Sequence, residues 1–403
     1  MKRIVGLDGV RALACLLVLA HHTFPRMPKT DSLTSDLVQK TGGFGQAGVS
    51  VFFVLSGLLL SFPFWKALYH STDRPDFQVF VVRRLARIAP GYYLVLAVTT
   101  VFSIVAFSTV FDLQLLIRLL SAIFFVNSVH PVTFYPTDIN GPLWSISFEV
   151  LSYAMLFGSL LVLFRFHWLR KFYVGLVFFI GVAVGSMIAH LAWMSIIGKP
   201  TVDVGWEFGI IGFARTWMPH TNPFSLFNHF IIGVIGSSVL VVGTAKWRPG
   251  FQFDVLFLAC TCLMAAGIGS LFLFQDDPFY GWFQSLYMWP FFPLMMVSWL
   301  VLLPFTRVLH AVFEITLLRF IAQISFGIYV WHMLVIEAVV MWFFPDFVYE
   351  GGMSLFDWLV AETLVVLVTF AIASMSWFWF ERPILKRFSD IRKPFTPPTA
   401  TLV

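Results

Sequence analysis

Long apolar runs recur along the whole chain, separated by short polar stretches. Ten have the roughly 20-residue length of a membrane-crossing helix: 7–24, 44–65, 91–110, 143–164, 172–194, 226–244, 254–274, 283–303, 320–344 and 356–380. The pattern predicts an all-α polytopic membrane protein with about ten transmembrane helices. A further apolar stretch, 113–129, carries Arg118 and reads better as an interfacial or re-entrant helix than as a span. The connecting segments 25–43, 130–142, 195–225, 275–282 and 345–355 are rich in Pro, Gly, Asp and Thr, as turns require. No soluble stretch is long enough for a second domain, and no internal repeat is visible. Residues 1–388 are therefore expected to form one membrane domain. The remainder, 389–403, holds Pro394, Pro397 and Pro398 and is expected to be a disordered cytoplasmic tail.

Composition agrees with lipid as the solvent. The 403 residues are 59% hydrophobic and 12% charged, against about 25% charged in soluble domains. The net charge of +5 would suit an acidic partner, but the basic residues sit in short clusters between apolar runs, which argues against nucleic acid. With the N-terminus inside and 113–129 not crossing, all but six of the 26 Lys and Arg face the cytoplasm; the exceptions are Arg26, Lys29, Lys40, Arg118, Lys199 and Arg215. Ten spans with both termini cytoplasmic satisfy the positive-inside rule. Lys2 and Arg3 precede an apolar stretch, yet Arg11 interrupts it and no small-residue cleavage site follows, so it is kept as a first membrane helix rather than a signal peptide. Cys15, Cys260 and Cys262 all lie in apolar runs, and neither a disulfide nor a metal site is expected.

Ionisable residues inside spans are costly and mark function. The first helix holds Asp8, Arg11, His21 and His22. Arg11 and His22 are eleven residues apart, close to three turns, so they share a face and lie about 16 Å apart along the axis. His21 points elsewhere. His22 near the outer boundary fits either a hydrogen-bonded helix-end residue or a general base. In RRLAR, Arg83, Arg84 and Arg87 gather on one side of a helix as an anion site suited to phosphates, or act as a topology determinant or lipid clamp. In GPLWSISFEVLSY, Ser145 or Ser147 is placed to cap a helix, and Glu149 lies about a turn inside the span, where it needs a cationic partner. His332 and Glu337 sit in the ninth span. Glu381 with Arg382 reads as a helix-end ion pair. Segment 195–225, with Trp206 and Trp217, fits an aromatic interfacial cap or the lining of an acceptor cleft.

In this order, GLDGVRALACLLVLAHH (6–22), GVSVFFVLSGLLLS (48–61), RRLARIAPGYY (83–93), PLWSISFEVLSY (142–153), ISFGIYVWH (324–332) and FERPILKRF (380–388) resemble the acyltransferase 3 family of integral membrane O-acyltransferases, which acylate bacterial surface glycans and other hydroxylated molecules. The resemblance spans the chain. It places the family's basic residue, ten residues, then His on Arg11 and His22, its RxxR-type donor loop on Arg84 and Arg87 with Arg83 adjacent, its Trp and Glu on Trp144 and Glu149, and its late Tyr and His on Tyr329 and His332. Two positions depart: Ser50 stands where the family often has Asp, and Val150 where a second acid is frequent. These weaken any carry-over of acceptor identity. Some relatives carry a fused soluble hydrolase-like domain, which this chain is expected to lack.

The resemblance implies an acyl, foremost acetyl, transferred from cytoplasmic acyl-CoA to a hydroxyl of a saccharide or lipid-linked glycan, in a multi-pass protein of the cell inner membrane. Acyl-CoA is a donor substrate, and no bound cofactor is required. On this expectation Arg83, Arg84 and Arg87 hold the CoA phosphates, and His22 is the base. Arg11 is aligned with His22, Glu149 orients it, and Trp144 or Ser147 serves as oxyanion donor. Asp8, Tyr329 and His332 support the site. A translocator feeding a separate transferase, or a non-catalytic regulator, would share the composition. An inverted repeat would favour the translocator and none is visible, and retention of Arg11 and His22 argues against the regulator.

Overall fold

A computed structural model describes residues 3–29, 33–197, 203–274, 276–277, 279–349 and 352–390. The helices, in chain order, are α1 (Leu7–Thr23), α2 (Leu33–Phe44), α3 (Gly48–His70), α4 (Phe77–Phe107), α5 (Leu113–Ile123), α6 (Trp144–Arg165), α7 (Phe172–Ile197), α8 (Gly209–Trp217), α9 (Pro223–Lys246), α10 (Phe251–Phe274), α11 (Phe291–Leu302), α12 (His310–Phe313), α13 (Thr316–Trp342), α14 (Leu355–Met375) and α15 (Arg382–Asp390). Among the described residues, nine helical segments are long and apolar enough to cross a membrane. The expected span 283–303 takes a different form. Its first part is short turns through Leu286–Met288, with Tyr287 and Met288 at positive φ, and the helix begins only at Phe291. With its 3-10 extension to Phe305 it remains a short apolar helix. Most of the expected tail, 391–403, lies outside the described residues.

Burial sorts the helices into a centre and a periphery. The apolar window of α9 is 83% buried and that of α7 only 17%, so α9 packs in protein while α7 faces lipid. Hydrophobic burial cannot hold two helices together in lipid, so close backbone approach must. At the α3–α9 crossing a Cβ on Gly57 would run into the Phe230 carbonyl, and one on Gly233 into the Val54 carbonyl. Trp65 Nε1 donates to Val234 O at 2.8 Å across the same contact. The α1 helix packs against α3 and α13, which places Arg11 and His22 in the interior of the bundle.

Two elements shape the site's walls. The 31 residues of α4 reach about 46 Å, well beyond a hydrocarbon core of about 30 Å. Arg83 to Arg87 are therefore helical, in the first turns of α4, rather than in a loop. Asp76 caps that end, accepting from Gln78 N (2.7 Å) and Val79 N (3.2 Å). The 11 residues of α5 are too short to cross, as expected of 113–129. Arg118 is not solvated there. It is 4% exposed and donates to Tyr135 O and Asp138 Oδ1, both at 2.8 Å. This tie holds the following non-helical segment inside the protein. In that segment, Asn140 is fully buried and donates to Val330 O at 3.0 Å, midway along α13. The start of α6, with Glu149, is thereby set deep in the bundle.

Candidate active site

One end of the bundle is basic. A cavity of about 740 Å³ opens there between α1, α3, α4, α6, α13 and α15. Arg11, Arg83, Arg84 and Arg87 line it, and Arg382 and Lys386 join them from α15. The α4 spacing puts its three arginines on one side, with Arg83 exposed and Arg84 and Arg87 half-buried. The Arg87 guanidinium lies 4.6 Å over the Trp377 ring. Trp377 belongs to the wide π-helical turn Ser376–Glu381 that joins α14 to α15. Such turns reposition side chains that a regular helix would aim elsewhere. Here Glu381 is 2% exposed, accepts from Ser376 Oγ at 3.0 Å and faces Arg87.

Further in, Tyr153 donates to Glu149, four residues earlier on α6. Arg84 and Arg11 are the nearby cations that balance this carboxylate. Arg11 also lies 3.7 Å from Asp8, which Arg3 holds at 2.7 Å. The deep wall of the cavity carries Ser145 and Tyr329, whose hydroxyls are 2.6 Å apart. Both also approach the Pro142 carbonyl, at 3.2 and 3.3 Å.

Beyond Tyr329 lies a histidine cluster. The His332 ring centroid is 6.1 Å from that of Tyr329 and 5.1 Å from that of His22, and His21 stacks edge-on to His22 at 4.8 Å. His332 Nδ1 is 3.1 Å from Ile328 O. A carbonyl only accepts, so Nδ1 carries the proton and Nε2 keeps its lone pair. That Nε2 is buried and has no hydrogen-bond partner among the described residues. His22 Nδ1 pairs with the Tyr349 hydroxyl at 3.2 Å. Half of Tyr349 is accessible to solvent, but its hydroxyl points toward the packed histidines, and desolvation there raises its pKa above the ordinary phenol value. It is thus a neutral partner at pH 7. Arg26 donates to His22 O (2.8 Å) and Phe347 O (3.1 Å), lies 4.3 Å over the Tyr349 ring and approaches Glu337 at 3.9 Å. Beside it, Thr23 donates to Glu362 at 3.1 Å.

The Acyl_transf_3 acyltransferase-domain profile matches residues 4–378. The chain belongs to this acyltransferase family. Relatives include the peptidoglycan O-acetyltransferase OatA of Listeria monocytogenes, 26% identical over 50% of this chain and 30% of the relative. A protein of Staphylococcus aureus (strain COL), named provisionally as an O-acetyltransferase, is 24% identical over 96% of this chain and 58% of its own length. One of Bacillus subtilis (strain 168), named provisionally as a peptidoglycan O-acetyltransferase, is 32% identical over 39% of this chain and 20% of its own. The chain thus spans between a fifth and three fifths of these relatives. No solved structure matches.

Within this acyltransferase framework the fold sorts the expected site residues into two groups. Arg11, Arg83, Arg84, Arg87, Glu149 and Tyr329 line the cavity; His22 and His332 lie just beyond it, both on the side where α1 meets α13. Four expectations are corrected. Glu149 does not pair with His22, because it faces the arginines and takes its hydrogen bond from Tyr153. Ser147 bonds to Trp144 O of its own helix at 3.2 Å and caps nothing. Trp144 stacks on Phe134 at 5.5 Å, so neither residue lines the cavity as an oxyanion donor would. Glu381 faces Arg87 and not its neighbour Arg382, which lies over Phe378 at 5.8 Å.

Several residues were missed. Tyr153 was signalled by its i+4 spacing from Glu149, and Glu362 by being a carboxylate inside a span. Arg26 was signalled by its i+4 spacing from His22, whose carbonyl it reaches, whereas Tyr349 carried no local signal, since loop folding brings it to His22. The 203–222 segment packs its aromatic rings on one another, Trp206 on Phe213 at 3.6 Å and Phe213 on Trp217 at 4.5 Å, and Trp217 also stacks on Phe279 at 4.4 Å.

Proposed function

We propose that this protein is an O-acyltransferase. In this reading it moves an acyl group, acetyl before others, from cytoplasmic acyl-CoA to a hydroxyl of a saccharide or lipid-linked glycan at the cell inner membrane. The observation that carries the reading is the line from the arginine cavity through Ser145 and Tyr329 to His332 and His22. It joins an anion site at one end to imidazoles at the other. The charge bias puts the basic end in the cytoplasm, where acyl-CoA is found. The relatives' names make peptidoglycan the first acceptor to test.

Arg83, Arg84 and Arg87, with Arg382 at the mouth, bind the CoA phosphates through charge-assisted hydrogen bonds. Glu149 with Tyr153, and Glu381, offset part of this positive charge and fix the guanidiniums in place. The pantetheine arm runs inward past Phe52 and Phe53 and brings the thioester to the Ser145–Tyr329 pair. Either hydroxyl can turn its proton toward the oxygen of the tetrahedral intermediate. The acceptor comes from the opposite face, on the side of Tyr349.

When Nδ1 of His22 donates to the Tyr349 oxygen, Nε2 is the free base. It takes the proton of the acceptor hydroxyl as the oxygen attacks the thioester carbonyl. A C–O bond forms and the C–S bond breaks. The proton passes from His22 to the unpaired Nε2 of His332 and on to the departing CoA thiolate. The products are an O-acyl ester and free CoA. Arg11 and Asp8 act at the donor end, not on His22.

The test is reconstitution of the purified protein in liposomes with acetyl-CoA labelled in the acetyl group and soluble peptidoglycan fragments. Base-labile label on the saccharide, with no other protein added, is the expected result. Label that crosses the bilayer yet reaches the saccharide only after a second enzyme is added would favour the translocator instead.

A further inference from the structure

A second basic pocket, distinct from the arginine cavity, lies at the same end of the bundle. It has a volume of about 1190 Å³ and sits where the end of α3 meets the α6–α7 turn. Arg74, Arg165, Arg170 and Lys171 line it against a single carboxylate, Asp73. Arg170 is fixed in place by two bonds to the Phe164 carbonyl, at 2.6 and 3.2 Å, which close the end of α6. All four basic residues are exposed, and Arg74 lies 4.8 Å over the Phe77 ring. Exposed rings flank them: Phe166, Trp168 and Tyr173. Aromatic and basic residues together mark the level of lipid headgroups.

An apolar groove of about 460 Å³ continues from this pocket along the lipid-facing seam of α6 and α7. Val162 lines both. The groove's floor includes Gly158 and Gly185, and a Cβ built on either meets nothing within 4 Å. These glycines therefore do not serve close helix packing, unlike Gly57 and Gly233. They leave open space beside α6 that is wide enough for a chain of methylenes. Phe178 and Phe227 close its sides.

We propose that the pocket and groove together bind one anionic phospholipid, its phosphate held by Arg74, Arg165 and Lys171 and one acyl chain laid along the Gly158–Gly185 seam. A free phosphate or soluble nucleotide would use the pocket and leave the groove unexplained. A zwitterionic lipid would fill the groove without matching an excess of three positive charges. The joint geometry selects an anionic headgroup that carries a hydrocarbon tail. This site stands apart from the acyl-transfer path and does not depend on the reading of that path.

The test is native mass spectrometry of the purified protein titrated with phosphatidylglycerol, phosphatidylcholine or glycerol 3-phosphate. The proteins are wild type, Arg165→Gln/Lys171→Gln and Gly158→Leu, each first checked for monodispersity and for an unchanged helical circular-dichroism spectrum. Wild type should retain phosphatidylglycerol in preference to phosphatidylcholine and ignore glycerol 3-phosphate. The charge variant should weaken phosphatidylglycerol roughly 25-fold, about 5-fold per charge, and Gly158→Leu should weaken it at least about 10-fold by filling the groove. Three results would overturn the proposal: equal retention of the two lipids, binding of glycerol 3-phosphate as tight as that of phosphatidylglycerol, or a Gly158→Leu protein that binds like wild type.

Discussion

At the arginine cavity, charged side chains border open space: Arg83 is exposed, and Arg84, Arg87 and Arg11 are only partly covered. At the histidine cluster, the groups are held individually. Tyr349 takes His22, the Ile328 carbonyl takes His332, the Gly42 carbonyl takes His21 at 3.3 Å, and Arg26 is fixed by two carbonyls. A site for a large polyanion needs charge with room in front of it, since the ligand supplies the missing partners. A site for proton transfer needs rings whose tautomer and direction are set beforehand. The two ends of α1 meet these two demands, with Arg11 in the first and His22 in the second, about 16 Å apart.

If that division is right, substitutions at the two ends should fail in different ways. The largest effect is expected at His22. His22→Ala should lower turnover about 1000-fold while leaving acyl-CoA affinity intact, and His21→Ala should cost less than about 10-fold. Acyl-transfer kinetics on both variants check this, and equal losses would erase the distinction between the neighbouring imidazoles. Next is the donor end. Arg84→Ala/Arg87→Ala should weaken acetyl-CoA binding at least about 100-fold, since each arginine contributes charge-assisted hydrogen bonds, with little change in turnover at saturation. Titration calorimetry in detergent reads the affinity directly.

Between the two ends, Tyr329→Phe should lower kcat about 10-fold with KM unchanged, because Ser145 keeps one donor at the cavity's deep wall. A rise in KM instead would move Tyr329 from the reacting centre to donor binding. The smallest effect is expected at Ser147. Its hydroxyl bonds only within its own helix, so Ser147→Ala should keep activity within about 2-fold of wild type. A large loss there would restore it as an oxyanion donor and displace Ser145.

The apolar runs made most of the fold legible, because a bilayer forces each run to be a helix of nearly fixed length. They were less informative where the chain leaves that rule. The stretch before Phe291 is rich in aromatic residues but also holds Gln284, Ser285 and Pro290, and it breaks into turns, while α4 runs about three turns past its apolar core to carry the arginines. The arginine cluster was readable because RRLAR is local, and helical spacing alone gathers its charges. The surroundings of His22 were not. Arg26 is only four residues on, but Tyr349 comes from the segment after α13, and Glu337 and Glu362, which approach Arg26 and Thr23, come from α13 and α14, so only tertiary folding brings these three to the His22 end of α1. Glu149 shows the cost of arguing from residue type alone: a carboxylate and an imidazole in one membrane domain suggest a pair, yet the nearer arginines and Tyr153 claim it.

The most direct test of the division is to measure acetyl-CoA binding and its slow hydrolysis, without acceptor, on purified wild type, His22→Ala and Arg84→Ala/Arg87→Ala. Wild type should bind and turn over, His22→Ala should bind as tightly without turnover, and the double variant should lose binding. A His22→Ala protein that still hydrolyses acetyl-CoA at the wild-type rate, or a double variant that binds it normally, would contradict the account.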